Sequence, residues 1–105
     1  MPLRRRPYRI EYAREAVSHL RSMDARKASI VLDSVFRQLS HEPNTPTRSR
    51  KLLRANEVAP WELRIGDIRV YFDVAEEPEP TVTIRAIGIK VREKVLIGGE
   101  EVDLQ

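Results

Sequence analysis

The segment from Trp61 to Val74, WELRIGDIRVYFDV, alternates apolar and polar residues on either side of a Gly66-Asp67 pair. Alternation sends successive side chains to opposite faces of a strand, and a glycine free to take positive φ suits a two-residue hairpin turn. With Gly66 and Asp67 as the loop, Ile65 faces Ile68, Arg64 faces Arg69, Leu63 faces Val70, Glu62 faces Tyr71 and Trp61 faces Phe72. One face of this hairpin is wholly apolar: Trp61, Leu63, Ile65, Ile68, Val70 and Phe72. The other carries Glu62, Arg64, Arg69 and Tyr71. Like charges directly opposite each other are unfavourable by up to about 1 kcal/mol. Arg64 against Arg69 therefore predicts an anion held between them. A slip of one residue would send every side chain to the other face, so the register carries the whole expectation.

A hairpin with one apolar face needs a covering layer, and the preceding residues supply it. Tyr8 to Tyr12 alternates and reads as a short first strand. Ala13, Ala16, Val17, Leu20 and Met23 recur at helical spacing. Asp24 suits the N-cap of a second helix, with Ala28, Val31, Leu32, Val35, Phe36 and Leu39 inward and Arg26, Lys27, Asp33 and Arg37 outward. Pro43 and Pro46 close that helix. After the hairpin, Glu76 to Pro80 is an acidic, proline-broken turn. Thr81 to Ile89 is a further strand, with Val82, Ile84 and Ala86 facing one way and Thr83, Arg85 and Ile87 the other. Gly98-Gly99 breaks the chain again. The expected order is β-α-α-β-β-β in an α+β fold: an antiparallel sheet with an N-terminal two-helix hairpin packed on one face. Residues 1–105 read as one domain, with a basic arm over 1–6 and a flexible acidic tail over 98–105.

At 105 residues, such a chain buries about two-thirds of its unfolded surface without staples. It has no cysteine, which excludes disulfides, thiolate metal sites and a thiol nucleophile. His19 and His41 are far apart in the sequence, so no metal or other cofactor is expected. No apolar run approaches the roughly 20 residues of a membrane span. Arg4-Arg5-Arg6 leads into Pro7 rather than a signal-peptide core, and the expected location is cytoplasmic. Residues 1–54 hold 13 Lys/Arg against 5 Asp/Glu, whereas residues 55–105 hold 6 against 11. This asymmetry fits contact with a polyanion through the first half and the hairpin face, and equally fits a solvated surface. Arg outnumbers Lys 15 to 4, which suits bidentate phosphate contacts.

Taken in order, these residues resemble the RelE/ParE superfamily of toxins from bacterial type II toxin–antitoxin systems, RelE-like members above all. The likeness runs from Tyr8 to about Glu101. It is carried by Ala13 and Leu20, by Leu39 with Glu42-Pro43, and by Lys51-Leu52. Trp61 to Gly66, Arg69-Val70-Tyr71 and Ile87-Gly88-Ile89-Lys90 complete it. The resemblance implies a small sheet whose helix-free face meets messenger RNA on the ribosome, cutting it without a metal and so inhibiting translation, until a cognate antitoxin silences it. ParE-like members share the fold and inhibit DNA gyrase without enzymatic activity. A degenerate toxin would serve only as antitoxin partner and co-repressor. Arg69 and Arg64 fall on basic positions of the two hairpin strands, and Lys90 near the one after the last strand. Glu62 stands where RelE-like enzymes have a further lysine, and Leu96 where they have a C-terminal tyrosine. Both departures touch the proton-transfer groups.

Metal-free RNA cleavage needs a base for the 2′-hydroxyl, cations around the phosphate and an acid for the leaving oxygen. Arg64 and Arg69 suit the cationic role, since guanidinium stays charged and grips two oxygens. Glu62 is the candidate base, and Tyr71 or Lys90 the candidate acid. The blander reading of Glu62 and Arg64 is a salt bridge on a solvated sheet face. Arg48, Arg50, Lys51 and Arg54, with Arg85 and Arg92, are the candidate RNA-binding cations, a solvated loop being the alternative for the first group. Trp61 and Phe72 read as core. His19 reads as a surface residue and His41 as a helix-end residue.

Overall fold

The computed structural model describes residues 6–104, so the expected basic arm lies outside the described residues except for Arg6. The elements are β1 (Arg9–Tyr12), α1 (Arg14–Arg21), α2 (Ala25–Leu39), β2 (Arg50–Leu52), β3 (Trp61–Ile65), β4 (Ile68–Ala75), β5 (Thr81–Val91), β6 (Lys94–Ile97) and β7 (Glu100–Val102). They form one sheet in the order β2-β3-β4-β5-β6-β7, with β1 also paired to β5. Three strands go beyond the expected order. β2 lies inside the cationic run, and β6 and β7 lie in what reads as a tail. The stretch expected to be a flexible tail is instead a turn at Gly98-Gly99 followed by β7.

The sheet is antiparallel as expected, except that β1 runs parallel to β5. A parallel partner requires a long crossover, and here the two helices and the hairpin separate the two strands. β5 is long enough to carry two neighbours on one edge. β1 occupies Thr81 to Ile84 and β6 occupies Gly88 to Val91.

The β3–β4 hairpin has the register that the alternation demands, from Trp61 opposite Phe72 to Ile65 opposite Ile68, with Arg64 opposite Arg69. Gly66 takes φ of 61° at its turn, where a larger residue is strained. In β5 the simple alternation fails. Phe72 pairs with Ile84 but Tyr71 pairs with Ala86, so Arg85 is an extra, bulged residue. A bulge reverses the facing of everything beyond it. Ile87 therefore enters the core beneath the helices, and Ala86 turns to the other face, opposite to expectation.

Two cores result. The larger one lies between sheet and helices and contains Val31, Val35, Leu39, Leu63, Val70, Phe72, Val82 and Ile84, all fully buried. Trp61 and Phe72 stack there with ring centroids 5.9 Å apart, as their spacing predicts. Asp24 caps α2 by accepting the Lys27 N–H at 2.9 Å. The apolar stripe of α2 is narrower than expected. Six positions span too wide an arc for one contact line, and Leu32 and Phe36 stay 45% and 68% exposed. The smaller core lies on the helix-free face, where Ala59, Tyr71, Ala86 and Leu104 are buried together.

Candidate nucleic-acid interface

Cross-strand neighbours arrange the helix-free face in two rows. One runs Lys51, Glu62, Tyr71, Ala86. The other, nearer the hairpin turn, runs Arg64, Arg69, Gly88, Ile97. Lys90 lies two residues beyond Gly88 and so shares that face. Its backbone N–H donates to the Asp67 carbonyl at 2.7 Å, which docks the turn beside β5.

The first row is closed. Glu62 is 7% exposed and Tyr71 fully buried. The Tyr71 hydroxyl donates to Glu62 Oε2 at 2.9 Å, while Lys51 Nζ stands 4.0 Å from Glu62 Oε1. Burial pushes the Tyr71 phenol well above the ordinary tyrosine range, and the charge and hydrogen bond of Glu62 push it further; Arg69 acts in the opposite sense. Leu104, arriving from β7, and Ala59, arriving from the loop before β3, enclose the ring. The proposed acid and base thus contact each other under an apolar cover. Neither faces solvent.

The second row is the cationic one. Arg64 and Lys90 are exposed, and neither side chain has a partner among the described residues. Arg69 is different: it is only 6% exposed, and its Nη1 donates to the Gly66 carbonyl at 2.8 Å and the Ile68 carbonyl at 3.1 Å. Curling back onto the turn relieves the like-charge opposition, so the register does not of itself require an anion between the two arginines. The two-arginine clamp becomes an exposed cation beside one held against the turn.

The remaining cations divide. Arg50 is not an RNA contact. It is 7% exposed, and its guanidinium donates to the carbonyls of Gln38 (2.6 Å), Glu42 (2.6 Å) and Thr45 (3.0 Å). It caps the carbonyl end of α2, where the helix dipole favours a cation. Alternation explains the assignment, because Arg50 pairs with Leu63 and so points toward the helices, while Lys51 pairs with Glu62 and points away. Arg85, the bulged residue, pairs with Asp73 at 3.2 Å. Arg48 and Arg54 are exposed on loops, and Arg92 is exposed in the β5–β6 turn with φ of 58°.

His19 is misread as a surface residue. The edge of β5 between β1 and β6 leaves the Ile87 N–H without a strand partner, and His19 Nδ1 accepts it at 3.1 Å. Burial lowers the imidazole pKa, against the opposing charge of Glu15. The signal was present in the spacing, since Ala16, His19 and Leu20 share one helical face. Leu104 also escaped notice, although Val95, Ile97, Val102 and Leu104 keep the alternation of a half-buried ribbon.

One chain of the crystal structure of the RelBE2 toxin–antitoxin complex from Mycobacterium tuberculosis superposes with a TM-score of 0.67 and 26% identity, covering 80% of this chain and 99% of that one. The fold is RelE-like. No protein-family model matches the sequence, and no curated protein does. Within this fold the position of Leu96 is informative. It pairs with Ile89 and lines a cavity of about 710 Å³ beside His19 and Met23, on the helix side of the sheet. A side chain there points away from Arg64. No helix among the described residues is long and apolar enough to cross a membrane.

Proposed function

We propose that this protein is a RelE-like toxin that binds messenger RNA on the ribosome through the hairpin end of its helix-free face, and that a cognate antitoxin neutralises it. The observation that carries the reading is the meeting of Arg64, Arg69 and Lys90 on one face at the turn of the β3–β4 hairpin. Arg64 and Lys90 offer charge to phosphate, while Arg69 is tied to the turn. Lys51 continues the cationic surface toward the β2 edge, and Arg48 and Arg54 border it. Phosphate contacts of this kind give affinity and strong salt dependence.

Cleavage would require Glu62 to take the 2′-hydroxyl proton and an acid to supply one to the leaving oxygen. A Tyr71 held protonated at neutral pH qualifies as a donor, but its proton is committed to Glu62. Binding therefore has the stronger support, and cleavage requires that this pair be uncovered. The closed pair, with Glu62 and Leu96 in place of a lysine and a tyrosine, favours a second reading in which the fold inhibits a protein target such as DNA gyrase without chemistry.

Primer extension on messages from cells expressing the protein separates the two. Ribosome-dependent cuts, lost in Arg64→Ala, support the first reading. Intact messages with inhibited supercoiling overturn it in favour of the second.

A further inference from the structure

His19 stands where three parts of the chain meet. It belongs to α1, its Nδ1 accepts the Ile87 N–H of β5 at 3.1 Å, and its Nε2 faces the turn between β6 and β7. A Cβ added to Gly98 in that turn would lie 3.6 Å from Nε2. An imidazole that accepts at Nδ1 is neutral and carries its proton on Nε2. The ring also borders a cavity of about 390 Å³, together with Glu15 of α1, Glu57 of the loop before β3, Arg85 of β5 and Glu100 of β7. Arg85 is held by Asp73, whereas the three glutamates are exposed and pair with no cation among the described residues. On its other side the ring borders the larger cavity, where Asp24 and Lys27 offset each other. We infer from these surroundings that His19 is a proton-operated latch. Neutral, it closes the open edge of β5 at Ile87; protonated, it lets go of that edge and turns to the glutamates of the smaller cavity. Its effect on RNA rests on the RNA-binding reading above, while the latch itself does not.

The pairing of β1 ends at Ile84 and that of β6 begins at Gly88, so no strand supplies an acceptor to Ile87. An imidazolium donates from both nitrogens and, left in place, would set donor against donor. A part-buried N–H without an acceptor is costly, and the charged ring is better placed beside carboxylates. Carboxylates ordinarily ionise near pH 4.3 and imidazoles near 6.5, which leaves a window in which both carry charge. Burial opposes charging of His19 more than Glu15 favours it, which sets the opening on the acid side of the ordinary histidine value. Ile87 is followed on β5 by Gly88, opposite Arg69, and by Lys90, whose N–H holds the Asp67 carbonyl of the hairpin turn. Opening at Ile87 therefore loosens the strand that carries Lys90 beside Arg64 and Arg69.

The test follows the Ile87 amide and the histidine ring by NMR between about pH 7.5 and 5, in a His41→Gln background that leaves one histidine. Ring nitrogen shifts should show the Nε2-protonated neutral form at the upper end. Ile87 protection, corrected for the intrinsic pH dependence of exchange, should fall on the order of ten-fold as the ring charges. His19→Asn, which keeps an acceptor and does not titrate, should hold its protection throughout. A Glu15→Gln/Glu57→Gln/Glu100→Gln variant should charge the ring and open the edge only at lower pH. Affinity for a short fluorescein-labelled single-stranded RNA, at fixed ionic strength, should fall along with the protection, and should not fall in His19→Asn. Ile87 protection that ignores pH, or that follows the same course in His19→Asn, overturns the latch. Should His19→Asn fail to fold, an unmoved opening pH in the triple variant overturns it instead. Opening of Ile87 with unchanged RNA affinity overturns the coupling to RNA and leaves the latch. Absence of RNA binding at every pH, with the latch working, overturns the RNA reading alone.

Discussion

Tyr71 and Glu62, directly opposite each other on β4 and β3, share a 2.9 Å hydrogen bond in which the phenol donates to Oε2. The ring is fully buried and the carboxylate nearly so, which gives the pair a structural weight apart from any chemistry. Tyr71→Phe removes the donor and leaves a buried carboxylate short of a partner. The expected cost is about 1–3 kcal/mol, read as a lower urea midpoint. Adding Glu62→Gln to Tyr71→Phe should recover part of it, because the residue left behind is then neutral.

The same burial sets behaviour at high pH. Tyr71 is pushed above the ordinary phenol range and Tyr12 up to about 12 by desolvation. Both folded-state values are raised, so their contribution to stability is complete below the unfolded phenol pKa of about 10 and is lost as pH rises beyond it. Absorbance at the phenolate band should show Tyr71 ionising together with unfolding. In Tyr71→Phe that coupled step should shrink to the part Tyr12 contributes.

His19 gives the opposite sign at the acid end. Its pKa is lowered, so its contribution is present above the unfolded value of about 6.5 and is lost as pH falls below it. A protonated imidazole carries hydrogen on Nδ1 and cannot accept the Ile87 N–H. His19→Asn, which keeps an acceptor near the Nδ1 position, should flatten the decline in thermal midpoint between pH 6.5 and 5. His19→Ala should lower the midpoint across the range.

Arg50 and Arg64 look alike in sequence and should behave oppositely. Arg50→Met strips the cap from three carbonyls and should cost about 2–3 kcal/mol in chemical denaturation. Its RNA affinity, measured where the variant is folded, should stay at the wild-type value. Arg64→Ala should leave the denaturation curve unmoved and reduce the salt slope of RNA binding by about 1.

Gly88 shows how tightly β6 is laid against β5. A Cβ there would meet the Leu96 carbonyl oxygen at 2.8 Å and Ile97 Cγ1 at 2.9 Å. The first contact is backbone and cannot turn aside. Gly88→Ala should therefore cost about 1–3 kcal/mol, and hydrogen exchange should report faster opening in β6 and β7 than in the hairpin.

What could be read from the chain follows from where local rules suffice. The β3–β4 register was legible because strict alternation meets a two-residue turn, leaving one pairing with a uniform apolar face. The Asp24 cap was legible for the same reason: capping is a local contact. Arg50 was not, because its partners lie 5 to 12 residues away and only the pairing of β2 tells which way it points. The pattern of β5 failed at one residue, Arg85, since nothing in a single strand announces that its partner counts differently. The closed state of Glu62 and Tyr71 depends on Leu104, more than thirty positions from either, and no local rule reaches that far.

The bulge at Arg85 makes that residue the spare one in β5. With that one residue deleted, Ala86 would follow Ile84 directly, and plain alternation would keep Ala86, Gly88 and Lys90 on the helix-free face and Ile87 and Ile89 under the helices. Point substitutions at Arg85 should be absorbed, costing little beyond its surface pair with Asp73. Loss of the Arg85 codon should straighten the strand and leave its faces in place. A deletion scan through residues 81–89 would show this as one tolerated position, Arg85, among paired residues whose loss shifts their neighbours to the wrong face.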